Sequence, residues 1–245
     1  MFKDVISLVK YLLSIFLKSK KIGILMYHSV SDGDNRFFAV SENNFEKQLK
    51  FLSDKNFSII SADALFDILK NKKEIPEKTI CLTFDDGYKN NYSVVFPILK
   101  KYNFPMMIFL VTDLIGEDNY LDWDEISEMQ NSGLVSFGCH TKSHPDLDKI
   151  TSLDIERELV ESKIILEERF NKKCRFFSYP RGKYDNVVLQ KVKEQGFEIA
   201  LTTKEGIISL KNDMLELPRL SIDKSTTWLQ FLGKISGIQF IKGKI

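Results

Sequence analysis

Asp85 and Asp86 are adjacent carboxylates followed by Gly87, and His140 and His144 are imidazoles four residues apart followed by Pro145. These residue types at this spacing suit hydrolysis. Two neighbouring side chains at a strand end point in different directions, so one carboxylate can ligate a metal while the other accepts a proton from water. Two imidazoles plus a carboxylate are the ligand set of an open, zinc-type site that keeps a position for water. Taken singly, each element has a plainer reading: Asp-Asp-Gly also makes an ordinary turn, and a lone histidine is often structural. The chain holds 3 histidines in 245 residues, and the third, His28, closes the apolar run Ile22-Gly23-Ile24-Leu25-Met26-Tyr27.

The elements that must position these groups are legible as apolar runs. Thr79 to Phe84 leads into Asp85-Asp86, and Leu134 to Cys139 leads into His140. From residue 79 strands and helices alternate: strand 79–84, helix 89–101, strand 106–111, helix 123–132, strand 134–139, helix 152–170, strand 175–179, helix 185–195, strand 197–202, a last strand over 217–222 and helix 226–235. Before them, Ser41 and Ser61 cap helices running to about residues 55 and 71. Such alternation means βα units and a parallel sheet. With about seven strands, closure into a barrel is the economical arrangement, and side chains at the strand ends then meet at one mouth. A doubly wound open sheet is the alternative, but no Gly-rich phosphate loop is present.

Composition narrows the class. A net charge of +1 gives no general attraction to nucleic acid, and 43% hydrophobic residues with 19 phenylalanines supply a full core for one domain. Cys81, Cys139 and Cys174 are odd in number and scattered, so a disulfide framework is not expected and a reducing compartment is. Residues 1–21 read as a separate basic amphipathic helix, with the barrel over 22–245. Lys3, Ser7, Lys10, Ser14, Lys18 and Lys21 share one helical face, and Leu8, Leu12, Ile15 and Phe16 the other. The segment lacks a cleavage site and is short for a span. It can lie in a membrane surface through residues 1–20 or pack its apolar face on the barrel.

Thr83-Phe84-Asp85-Asp86-Gly87 together with His140-x-x-x-His144 resembles the NodB-homology polysaccharide deacetylases, the family-four carbohydrate esterases. The likeness runs from about Ile22 to Leu232. It implies an α/β fold, a distorted (β/α)7 barrel here preceded by the amphipathic helix, and metal-dependent removal of N-acetyl, occasionally O-acetyl, groups from a saccharide. By position it makes Asp86, His140 and His144 the metal ligands and Asp85 the general base. The metal expected is zinc, with cobalt, nickel or manganese as substitutes.

Two departures from that pattern matter. In Ser178-Tyr179-Pro180-Arg181-Gly182, the best-known branch carries Arg at the position of Ser178 and Tyr at that of Arg181. The resemblance gives Tyr179, Pro180 and Arg181 to oxyanion and substrate binding, the Arg181 N–H acting whatever its side chain. Near Leu220 the usual general-acid histidine is missing. Tyr27-His28-x-Val30 instead resembles the branch that deacetylates poly-N-acetylglucosamine, where the acid comes from the first strand. His28 is therefore the expected acid, with a substrate-positioning or structural role as the alternative, and Arg219 either orients Asp85 by an ion pair or lies at the surface. The partner expected is an N-acetylated saccharide, met in the cytoplasm or at the inner face of a membrane during surface-polysaccharide synthesis. The same site could hydrolyse another amide, such as a formamide or cyclic imide, and a silent glycan-binding barrel is the non-enzymatic reading.

Overall fold

The computed structural model describes residues 2–16 and 20–237. In chain order the elements are α1 (Phe2–Phe16), β1 (Ile22–Tyr27), β2 (Ser29–Val30), β3 (Ala39–Val40), α2 (Glu42–Asp54), β4 (Ser58–Ile59), α3 (Ala62–Lys70), β5 (Thr79–Phe84), α4 (Phe96–Tyr102), β6 (Met106–Leu110), α5 (Trp123–Asn131), β7 (Val135–Cys139), α6 (Ser152–Phe170), β8 (Phe176–Ser178), α7 (Asn186–Glu194), β9 (Ile199–Glu205), β10 (Leu217–Ser221) and α8 (Trp228–Ile235). The strands pair in the order β1-β10-β9-β8-β7-β6-β5, and β1 pairs β5, all in parallel. That pairing closes a seven-stranded (β/α) barrel. The short β4 adds to β5 beside Thr79 and Ile80.

Every residue of β1, β5 and β6 is buried. Strands covered on both faces carry unbroken apolar runs, which is why they stand out in the sequence. Ile24, Cys81, Met107, Phe109, Ile199 and Leu201 fill the barrel, and Ala62, Leu65 and Leu69 of α3 join the same cluster. α3 thereby plugs the end from which the strands start. Chemistry is left to the other mouth.

The caps behave as their residue types dictate. Ser41, Ser61 and Thr151 each accept from a backbone N–H in the first turn of their helices. The helix expected over 89–101 is split: a π-helical turn covers Asn91–Val95 before α4. Pro97 has no N–H to give to residue 93, and the preceding turn widens so that the Phe96 N–H reaches the Asn91 carbonyl.

α1 lies against α8. Asp4 accepts from the Thr227 hydroxyl at 2.6 Å and from the Gln230 amide at 3.4 Å. Gly233 makes this approach possible, because a Cβ there would stand 2.6 Å from that of Ser7. The side facing the barrel is thus the one bearing Asp4 and Ser7, whereas Val5, Leu8, Val9 and Leu12 are 57, 39, 44 and 49% exposed. The side chains of Lys10, Ser14, Ile15 and Phe16, and all of Lys18, lie outside what is described. Among the described residues, no helix is long and apolar enough to cross a membrane.

Candidate active site

β5 ends at Phe84, and the Asp85 N–H donates to the Tyr27 carbonyl at the end of β1. Asp86 then takes φ = 74° and Gly87 φ = 74°. Gly87 tolerates this, and a Cβ on it would press to 2.8 Å from Leu110. The double left-handed step sends the two carboxylates apart. Asp85 turns into the barrel, 2% exposed, while Asp86 faces the mouth.

At the end of β7, the His140 N–H donates to Leu110 and its ring lies buried. Nδ1 donates to the Ser178 carbonyl at 2.7 Å, which leaves Nε2 bare toward the mouth. Thr141 and His144 both adopt positive φ, 67° and 64°. The resulting tight loop is pinned by Thr141 Oγ1, which accepts from the His144 N–H, and by Glu158 of α6. Glu158 accepts from the Lys142 and Ser143 N–H groups at 2.9 and 2.8 Å. Left-handed non-glycine residues cost about 1–3 kcal/mol each and persist where the surroundings over-determine them.

Asp86 Oδ1 stands 3.4 Å from His140 Nε2 and 3.4 Å from His144 Nε2. One ligating atom from each of the three residues lies within 4.8 Å of the others. Bonds of about 2.0–2.2 Å in a tetrahedral shell put ligand atoms about 3.3–3.6 Å apart, so the donor set fits a zinc-like ion. Burial and the neighbouring His140 push His144 down to about 4, favouring the neutral ring that a metal needs. Burial also works against charge on His140, but the Asp85 and Asp86 carboxylates and the Ser178 carbonyl outweigh it and raise that ring.

Arg219 of β10 completes the buried half of the site. Its guanidinium donates to Asp85 Oδ1 at 2.7 Å and Oδ2 at 2.6 Å, to Ser178 Oγ at 2.9 Å and to the Thr202 carbonyl at 2.9 Å. It is 1% exposed, so the surface reading of Arg219 is excluded. Burial alone would raise the Asp85 carboxyl, but Arg219 and His140 hold it well below the usual carboxylate range. Ser178 is the small side chain that leaves room for this fork. It also donates to Asp85 Oδ2 at 3.3 Å.

His28 follows β1 at the same mouth, half-buried, its carbonyl held by the Asn91 amide at 2.9 Å and its ring against Phe38 at 5.1 Å. Burial lowers it below the ordinary imidazole range, against the upward pull of Asp85 and Asp86. Arg181 has φ = 51° in the Pro180–Gly182 turn, and its guanidinium bonds Asp146 at 2.6 Å. Tyr179 is otherwise engaged than the sequence suggests. Its ring stacks on Tyr184, its hydroxyl donates to the Leu215 carbonyl, its N–H donates to the Leu201 carbonyl and its own carbonyl accepts from the Gly182 N–H, so Tyr179 holds the turn and does not face a substrate. Pro180 is buried beside it.

Sequence reasoning passed over Glu158, Asn91 and Asp146. Glu158 is one of many charged residues on α6 and carries no local mark. Phe37-Phe38, an aromatic pair inside a polar loop, was a readable signal.

Residues 72–200, just over half of the chain, match the sequence profile described as polysaccharide deacetylase. The chain belongs to the polysaccharide deacetylase family. The matched span of this family member contains Asp85, Asp86, His140, His144 and the Tyr179–Arg181 turn, and leaves out His28 and Arg219. The Streptococcus pyogenes deacetylase PplD, solved in complex with acetate, is similar with a TM-score of 0.82 and 30% identity, over 89% of this chain and 99% of that one. A polysaccharide deacetylase of Bacillus cereus gives 0.80 and 32%, over 89% of this chain and 69% of that one. The poly-β-1,6-N-acetyl-D-glucosamine N-deacetylase of Staphylococcus aureus (strain MRSA252) is 26% identical over 218 residues, 84% of this chain and 75% of the relative. These likenesses make this deacetylase-family chain a hydrolase by kinship.

Proposed function

We propose that the protein removes N-acetyl groups from an amino sugar within a polysaccharide or lipid-linked saccharide, with a divalent metal, during surface-polysaccharide synthesis. One observation carries this reading. A three-residue donor set and a buried, arginine-clamped carboxylate share a single barrel mouth with an independent histidine. The kinship to a poly-β-1,6-N-acetylglucosamine deacetylase supports the substrate class.

Asp86, His140 and His144 would hold the metal. When bound, it supplies Lewis acidity toward the acetyl carbonyl and the attacking water. Asp85 takes the proton of that water, and the Arg219 clamp keeps it deprotonated and correctly aimed. The main-chain N–H of Arg181 donates to the developing oxyanion. His28 delivers a proton to the departing nitrogen, and its lowered pKa makes the protonated ring a stronger acid. The products are acetate and a free amine.

Acetate release from N-acetylated saccharides should stop on chelation and return with zinc or cobalt. Formate or ring-opened products in place of acetate would favour the other amides. Absence of both turnover and metal uptake would favour a silent barrel.

The place we assign to residues 1–21 is the inner surface of a membrane, with 22–245 as the catalytic unit. Support comes from the outward stripe Val5, Leu8, Val9 and Leu12 and from exposed Lys3 and Lys21. The protein should sediment with anionic vesicles, and Leu8→Glu with Leu12→Glu should abolish this. Equal sedimentation of the variant would remove the assignment.

A further inference from the structure

His28 sits where strand pairing runs out. The β1–β5 ladder ends at Tyr27 and Phe84, and the β1–β10 ladder at Met26 and Ser221. The imidazole makes no hydrogen bond among the described residues, and the ring it packs against is Phe38. Its aim is therefore set by its own main chain. Beyond the ladders that main chain is held by side chains.

Asn91 Nδ2 donates to the His28 carbonyl at 2.9 Å. On either side, the Asp85 N–H donates to the Tyr27 carbonyl at 3.0 Å, the Asn90 amide donates to Ser29 Oγ at 2.8 Å, and Asn90 Oδ1 accepts from the Val30 N–H at 3.3 Å. Residues 27–30 are thus each tied to the segment 85–91. Asn91 is itself rigid. It is fully buried, its N–H donates to the Tyr88 carbonyl at 2.9 Å, and its carbonyl accepts from the Phe96 N–H across the π-helical turn.

This asparagine is kept at a cost. Its Oδ1 is buried and meets no donor among the described residues. A buried acceptor without a partner is unfavourable, and leucine has a similar size and no such atom. Packing alone would favour leucine here, but leucine cannot hold the His28 carbonyl. We infer that Asn91 is a positioning residue whose amide fixes the His28 main chain, so that the ring meets the departing nitrogen in register with Asp85. One short segment then carries the base, a metal ligand and the holder of the acid. The inference rests on the reading of His28 as that acid.

Asn91→Leu should lower kcat for acetate release from an N-acetylated saccharide about 10²-fold with KM little changed, the scale of a group displaced by about 1 Å. An activated aryl acetate, whose leaving group needs no proton, should keep most of its rate. Added to His28→Ala, Asn91→Leu should cost nothing further, because a residue acting through His28 has nothing left to aim. With 3 histidines in the chain, their ring resonances can be told apart by NMR. In zinc-loaded Asn91→Leu those of His28 should move or broaden while those of His140 and His144 stay. Losses that multiply in the double variant, equal losses on the two substrates, or unmoved His28 resonances would overturn the inference. If the wild type releases no acetate from any saccharide and the His28 resonances still move, the deacetylase reading fails and the hold of Asn91 on His28 stands. If the wild type is active and Asn91→Leu matches it, the reading stands and the inference fails.

Discussion

Asp85→Asn should lower kcat for acetate release by about 10²–10⁴-fold, the scale of a lost general base, while metal uptake by Asp86, His140 and His144 persists. The amide cannot take a proton from water and leaves the buried Arg219 charge unpaired, so the rate must be taken per folded molecule, with near-UV circular dichroism as the check. His28→Ala should lose rate on the same scale, but on a different substrate set. A nitrogen leaving group needs protonation and an activated aryl acetate does not. Asp85→Asn should therefore fail on both, and His28→Ala on the amide alone. Full amide turnover in His28→Ala would remove the acid from the mechanism, and full turnover in Asp85→Asn would remove the base.

Arg219→Leu carries the second large effect, this time on stability and pH dependence together. Removing one partner of a buried ion pair costs about 3–5 kcal/mol, because the other charge stays behind without compensation. In the native protein the Asp85 pKa lies well below its unfolded value of about 3.9. The pair's contribution is thus complete above the unfolded pKa and is lost as pH falls through the folded one. In Arg219→Leu burial loses its main opponent, with His140 and His28 still pulling the other way, so the carboxyl rises and falling pH costs that folded state less. Urea midpoints should show the largest gap between the two proteins near neutrality, narrowing in mild acid. The acid limb of kcat/KM should also move to higher pH, since Asp85 must be ionised to act. A gap that stays constant with pH, or an unmoved acid limb, would show that Arg219 does not set the Asp85 charge. Arg219→Lys should recover charge but not the two-pronged geometry.

Much of the candidate site was legible because its residues sit at the ends of their own apolar runs. Asp85, Asp86 and His140 follow fully or largely buried strands, and local pattern alone places such side chains at a barrel mouth. The same holds for Ser41, Ser61 and Thr151, whose capping chemistry is confined to one turn. Arg219 was ambiguous for the opposite reason. Its partner lies 134 residues away, and nothing near Leu217-Pro218-Arg219 tells a buried guanidinium from an exposed one. Tyr179 could be read toward the substrate until the Leu215 carbonyl and Tyr184 claimed it. Glu158 looked like any solvated charge on a long helix, yet it ties down the loop that carries His144.

The amphipathic pattern of α1 gave two faces without saying which would meet the barrel. Small size at Ser7 and Gly233 settled it, since backbones can approach closely only where side chains are absent or short. The sequence by itself determined the alternation of strands and helices, the caps, and the identity of the groups at the strand ends, because each depends on neighbours within a few residues. The tertiary structure alone decided which arginine clamps Asp85, which face of α1 stays outward, and that Asn91 holds the His28 carbonyl. Those outcomes depend on barrel closure, which brings β1 beside β10 and β5. Periodicity records that a side chain will be buried; the partner it is buried against is set when distant strands pair.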